Sequence, residues 1–255
     1  MKMLFLTLVG LLTATCVLAT PIINKRQAAT ANVTLDLSAQ LRLANTDVER
    51  VSLLANAGGN ESFVFDFAHA PANSGPPSSA GGSVITAFGS TFPALINRNI
   101  GAAVFILNAC SLVPPHTHPR SAEFITVVEG TVFTQFLTES GSVVISNNLT
   151  TLMGTVFPQG SIHLEFNPTC GKAVFVAGFN DDDPGVSNVA ANFLAFDQEL
   201  VGASLGGDKV VSAADLASFE RGLPQDAVFA VQECVSRCGI KPNRKRSLRE
   251  ILAEE

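Results

Sequence analysis

The sequence predicts an all-β fold, a sandwich or jelly roll, followed by α-helices near the C-terminal end. Two observations predict it. From residue 84 onward the chain falls into short β-like runs, each bounded by Gly, Pro, Asn or Asp. Such evenly spaced strands and turns mark a sandwich or jelly roll. After residue 205 the apolar positions recur at helical spacing instead. The 255 residues suit one large domain, or one domain with an appendage. With 47% hydrophobic and 15% charged residues, the chain can bury a substantial core, and disorder is excluded over most of its length.

The chain opens with a positive start, Met1-Lys2, and an apolar run that ends at Val17-Leu18-Ala19 with small residues where a signal peptidase cuts. Residues 1–19 therefore read as a signal peptide; the run is too short to anchor the chain in a bilayer. Lys25-Arg26 follows, so residues 20–30 read as a propeptide or linker with a dibasic processing point. Removal of residues 1–26 takes the formal charge from −6 to −9. Leu35, Leu37, Leu41 and Leu43 hint at a short helix or strand that precedes the barrel, and residues 69–82, rich in Pro, Gly, Ser and Ala, read as a loop. The expected strands are Val84–Phe88, Ala102–Leu107, Phe124–Val128, Val132–Leu137, Ser142–Ile145, Thr155–Phe157, His163–Phe166 and Ala173–Phe179. The β-domain with its N-terminal extension then spans residues 31–205, and residues 206–240 form a helical segment. In that segment Ser212-Ala-Ala-Asp215 is a helix start. Pro224–Gly239 reads as a second helix with Val228, Val231, Val235 and Cys238 on one stripe. Residues 241–255, with Lys241, Arg244, Lys245 and Arg246, read as a solvated tail, and Arg246 is a second candidate processing point.

An acidic chain without Trp or Tyr, and with no basic face evident in its body, is a poor partner for nucleic acid. The secretory reading makes other signals coherent. Asn32, Asn60 and Asn148 each open a glycosylation sequon. Cys16 leaves with the signal peptide, and Cys110, Cys170, Cys234 and Cys238 remain, an even number suited to disulfides in an oxidising compartment with three connectivities open. Paired Cys-x-x-Cys knuckles of a zinc site are missing from the sequence.

The chemistry is concentrated in two segments. Pro-Pro-His116-Thr-His118-Pro-Arg-Ser-Ala-Glu123 is answered by Pro158-Gln-Gly160-Ser-Ile-His163, and these hold three of the four histidines in the chain. On an extended strand His116 and His118 point to one side. After a turn, Glu123, Ile125 and Val127 line one face of the next strand, and His163 can converge from another. Imidazoles with a carboxylate and no thiolate bind Mn, Fe, Zn, Ni or Cu. Open positions on such an ion would make a reactive site, and a closed four-ligand shell would make a structural one. Glu165, two residues beyond His163, faces the same way and could act as a general base or proton relay.

The string His116-x-His118-x4-Glu123-x6-Gly130 resembles the first cupin motif, and Pro158-x-Gly160-x2-His163-x3-Asn167 the second. The longer strings Pro-Pro-His-Thr-His-Pro-Arg and Phe-Pro-Gln-Gly-x-Ile-His-x-x-Phe-Asn-Pro are similar to germins, above all to the secreted branch that includes spherulins. The resemblance covers roughly residues 30–240 and implies a double-stranded β-helix, the cupin jelly-roll barrel, with C-terminal helices that build homo-oligomers. It implies Mn2+ held by His116, His118, Glu123 and His163. It also makes Cys110–Cys170 a staple at the rim of the metal cup and leaves Cys234 to pair with Cys238. The chain departs from the motif glycines at Cys110 and Leu152. Oxalate-oxidising germins place Asn three residues before the first His; here that position is Val113, which cannot donate the hydrogen bond and speaks against oxalate. The upstream substrate Asn of that group has no counterpart in Ala102–Leu107, and Glu165 stands where those germins commonly have Gln.

Three functions follow from the resemblance. The first is a secreted, extracellular or cell-wall manganese oxidoreductase acting on superoxide or on a small oxygenated substrate. The second is a spherulin-like structural protein of a wall or cyst. The third is a metal-assisted isomerase or cyclase of a secreted metabolite, which Val113 and the 18 Phe would suit.

Overall fold

The structure is a computed structural model, and it describes residues 35–76, 78–206, 228–229 and 232–240. The expected signal peptide, linker with Lys25-Arg26, sequon at Asn32, helix start at Ser212 and tail beyond residue 240 lie outside the described residues.

Two helices lead in. α1 (Leu37–Leu43) begins where the Asp36 carboxylate accepts from Ala39 N–H, and α2 (Asp47–Gly58) where the Thr46 hydroxyl accepts from Glu49 N–H. The leucines that hinted at helix or strand are helical: Leu41 joins Leu54 and Ile96 in a small satellite core.

The barrel is two antiparallel sheets. One has the order β1-β2-β9-β4-β7, from β1 (Gly82–Ala87), β2 (Gly101–Leu107), β9 (Ala173–Phe179), β4 (Glu123–Glu129) and β7 (Gly154–Phe157). The other has the order β10-β3-β8-β5-β6, from β10 (Ser187–Asn188), β3 (Ser111–Thr117), β8 (Ile162–Phe166), β5 (Thr131–Leu137) and β6 (Ile145–Thr150). β11 (Val228–Phe229) adds to β3 at Leu112 and Ser111. Strand alternation sets the core. Ala103, Phe105 and Leu107 of β2, Ile125 and Val127 of β4, and Ala173, Phe175 and Ala177 of β9 face inward. Phe105 stacks on Phe175 with centroids 4.5 Å apart, and each fully buried ring contributes about 1.5–3 kcal/mol. α3 (Val189–Leu194) and α4 (Gln198–Ser204) follow the barrel, and α5 (Gln232–Arg237) closes the described chain.

Four expectations are corrected. β6 starts at Ile145, because residues 142–144 are an exposed connection. β3 lies in a Pro-rich stretch that carries no strand pattern of its own. Pro114 and Pro115 lack N–H groups, and they fall where the β3–β8 register shifts between Val113 and His116, and in the gap between the short partners β10 and β11. The segment Pro224–Gly239 is not one helix: Val228 and Phe229 pair with the edge of β3, and among the described residues the helix there is Gln232–Arg237.

The disulfides are also re-paired. The bridges are Cys110–Cys234 and Cys170–Cys238, not Cys110–Cys170 and Cys234–Cys238. Cys238 N–H donates to Cys234 C=O one helical turn back, so both side chains leave α5 on one face. That face covers the two turns that carry Cys110 and Cys170, which are indeed neighbours (Cys110 N–H donates to Thr169 C=O at 3.1 Å). Each helix cysteine therefore reaches one turn cysteine. Nor is this the rim of the metal cup. Cys110 precedes β3 and Cys170 follows β8, whereas the histidines sit at the opposite ends of both strands.

Cys110 and Leu152, which replace motif glycines, both keep the left-handed backbone, with φ of 57° and 69°. The turn geometry survives the loss of glycine at about 1–2 kcal/mol each.

Candidate metal centre

The ligands come from both sheets. His116 ends β3, His118 lies just past it, His163 is on β8 directly opposite His116 in register, and Glu123 starts β4 in the other sheet. All four are buried, with exposures of 1–3%. Their potential ligand atoms lie within 4.8 Å of one another. His118 Nε2 and His163 Nε2 stand 3.1 and 3.0 Å from the same Glu123 oxygen, Oε2.

The tautomers follow from the hydrogen bonds. His116 Nδ1 lies 2.9 Å from Pro114 C=O, His163 Nδ1 2.9 Å from Ser161 C=O, and His118 Nδ1 2.5 Å from Gly185 C=O. A carbonyl only accepts, so each Nδ1 carries a proton, and wherever a ring holds no second proton its Nε2 is bare. Bare Nε2 atoms then face a carboxylate oxygen at 3.0–3.1 Å, acceptor against acceptor. Only a cation or added protons between them relieves that contact. Glu123 Oε1 is buried and accepts no hydrogen bond among the described residues. Three imidazole nitrogens and a carboxylate around one point fit a divalent ion. The rings are held on their flanks as well: Phe157 stacks on His163 at 4.3 Å, and Phe179 meets His118 edge-on at 4.9 Å.

Electrostatics agree with a cation site. Burial, then the neighbouring His163, lowers His116 from 6.5 to about 3. Where added protons rather than an ion fill those contacts, burial raises the Glu123 carboxyl, but the hydrogen bonds then donated by His118 and His163 outweigh it and bring it down to about 2. Glu165 lies on the inward face of β8, between Val113 of β3 and Thr134 of β5. It is 1% exposed and its Oε1 is 3.9 Å from His163 Nε2. Neither of its oxygens, nor the Thr134 hydroxyl, has a hydrogen-bond partner among the described residues. Burial, reinforced by the charge of Glu123, holds the Glu165 carboxyl well above its usual range.

Asn167 is wholly buried and ties the strand ends together beyond the site: its amide donates to Leu107, Asn108 and Gly171 carbonyls, and its oxygen accepts from Thr169. Asn60 and Asn148 are both exposed, as an acceptor of sugar must be. The carbonyls of Pro114, Ser161 and Gly185, and the inward Thr134, escape a reading of the sequence. Backbone partners leave no residue-type signal, and only the turn residues Pro184-Gly185 hint at a chain reversal near the site.

The sequence matches the family Cupin over residues 70–211. It is 37% identical to Spherulin-1A of Physarum polycephalum over 204 residues, 80% of this chain and 79% of that one. It is 39% identical to Germin-like protein 8-2 of Oryza sativa subsp. japonica over 100 residues, 38% of this chain and 45% of that one. The fold is similar to a solved oxalate oxidase, with a TM-score of 0.56 at 22% identity, covering 65% of this chain and 83% of the other.

Proposed function

The chain belongs to the cupin family, in its germin-like and spherulin-like branch, and from that premise we propose that it is a secreted metal-binding cupin that holds Mn2+ and works as an oxidoreductase on superoxide or a small oxygenated substrate. One observation carries the reading: three Nε2 atoms, each freed by a carbonyl on its Nδ1, converge on the Glu123 carboxylate in a buried pocket. His116, His118, Glu123 and His163 hold the ion. A bound manganese ion would supply one-electron redox chemistry and polarise an oxygen ligand; the fit is shared by Fe, Zn, Ni and Cu.

The chain's own residues do the rest. Phe157 and Phe179 exclude water from two of the imidazoles. Glu165, unpaired and close to His163, holds and moves a proton on the inner face of β8. Val113, paired with Glu165 across the strands, removes the donor that a carboxylate substrate would need, which turns the site away from oxalate. Export through a secretory pathway accounts for the two disulfides and the exposed Asn60 and Asn148. Self-association through the C-terminal helices of residues 206–240 belongs to this reading, and Phe193, Phe196, Leu200 and Leu205, apolar and exposed on and beside α3 and α4, support a self-associating surface next to them. No helix of the described residues is long and apolar enough to cross a membrane.

Metal analysis of the freshly secreted protein, paired with superoxide and oxalate assays, tests the reading. Manganese near one per chain with superoxide turnover supports it, and metal-free protein sinks it. His163→Ala should keep the β-sheet circular dichroism and lose the ion; full metal occupancy in that variant would refute the ligand assignment.

A further inference from the structure

His116 has a second environment. It also lines a cavity of about 280 Å³ together with Val84, Phe88, Phe105, Val113 and Pro114. Val84, Phe88 and Val113 pack on the barrel core, and Phe105 is part of it, so these walls are rigid. Among the described residues, the wall's polar side chains besides His116 are Thr86 and Asn188, and it includes no Lys or Arg. Val186, 58% exposed, stands in the same wall and marks its solvent side.

The lining decides what can enter. A dianion brings two carboxylates, and each costs several kcal/mol to bury without a partner. The wall has no cation, among the described residues, for the end that an ion behind His116 does not reach. A sugar would leave most of its hydroxyls unpaired for the same reason. An apolar body instead gains about 25 cal/mol for each Å² it removes from water. The volume sits at or below the small end of ligand pockets, about 300 Å³, which holds one ring or a short branched chain.

The geometry points to this cavity as the substrate pocket, taking a neutral, single-ring or short branched molecule with one oxygen donor, a phenol, enol or carbonyl, turned toward His116. The inference deepens the proposed function: the donor's role rests on the metal reading, whereas the cavity's preference for an apolar body does not.

Titration calorimetry on the full secreted protein, with p-cresol and oxalate as probes, tests it in the metal-loaded and metal-stripped forms. p-Cresol should bind once per chain in both forms, more tightly when metal is present, and at least about tenfold more tightly than oxalate. Val113→Asn places an amide in the wall and should weaken p-cresol about tenfold while strengthening oxalate. Val186→Asp alters an exposed position that the fold does not need, and it should weaken p-cresol even if the Val113 variant fails to fold. Oxalate binding more tightly than p-cresol, or p-cresol affinity unmoved by Val186→Asp, would overturn the inference. p-Cresol binding in a protein that takes up no metal would support the pocket and sink the metal reading; stoichiometric metal with no p-cresol binding would do the reverse.

Discussion

Replacing Glu165 by Gln should expose an acid sensitivity that the parent protein conceals. In the metal-stripped protein, His116 titrates from 6.5 when unfolded to about 3 when folded. Between those values the unfolded chain binds the extra proton, so stability falls as pH falls, by about 1.4 kcal/mol per unit. Glu165 does the opposite. Burial and the Glu123 charge hold its folded carboxyl well above 4.5. Above 4.5 the folded chain therefore keeps a proton that the unfolded chain has lost, and stability rises as pH falls toward 4.5. Where the folded chain keeps the Glu165 proton, the two slopes oppose each other above 4.5. Below 4.5 the Glu165 contribution is complete, and Glu123, lowered to about 2, joins His116 in losing stability. Above 4.5 the parent should slope less than His116 alone would make it, and below 4.5 it should fall by about 2.7 kcal/mol per unit. Glu165→Gln keeps the shape of the side chain and removes its proton. Its curve should slope from 6.5 downward, a loss of about 2.7 kcal/mol by pH 4.5 relative to its own value at 6.5. Urea unfolding midpoints in chelator at half-unit pH steps measure this directly. Parallel curves for parent and variant over that window would refute the assignment of Glu165 as a buried, proton-holding carboxyl.

Other consequences are open to simpler measurements. Non-reducing peptide mapping should recover Cys110–Cys234 and Cys170–Cys238, and the pair Cys110→Ser with Cys234→Ser, which opens a loop of 124 residues, should cost about 5 kcal/mol in urea unfolding. Leu152 is 83% exposed at φ 69°, so Leu152→Gly should relieve strain with no packing lost and stabilise by about 0.5–1 kcal/mol, seen as a rise of about 2 °C in Tm. Asn167→Ala removes one amide bonded to four residues and should cost about 3 kcal/mol in the same assay.

The β architecture was legible because its signals are local. Ala102–Leu107 and Ala173–Phe179 alternate cleanly, and the structure places them side by side with Phe105 opposite Phe175. The alternation Glu123, Ile125, Val127 gave the correct inward face. The clustering of His116, His118, Glu123 and His163 was legible because three histidines and a carboxylate crowd into two short segments, and the structure brings the four together. What failed was non-local. β3 is broken by prolines and is defined by its partners rather than by its own propensity. Val228 fits a helical stripe, yet with Phe229 it supplies a missing edge partner. The cysteine pairing depends on where α5 lies across two turns, which no spacing encodes. α3 and α4, short and weakly patterned, carried too little periodicity to be read.

The corrected disulfides change how the barrel is held together. β3 and β8 each carry a ligand near one end and a bridged cysteine just beyond the other. Cys110 and His116 lie six residue steps apart along the chain, about 20 Å when extended. At the site end, Glu123 faces the histidines from the opposite sheet, so an ion there would join the two sheets. At the far end, α5 is bonded to the turns before β3 and after β8, closing the barrel from outside. The two devices sit farther apart than the distance over which stabilities couple, about 10 Å. Reducing the bridges would therefore loosen α5 and the barrel base without releasing the ligands. Stripping the ion would let the sheets part at the other end while the base stays closed. The middle of β3, where Val113 and Pro114 line the cavity, lies between these ends and is steadied by both.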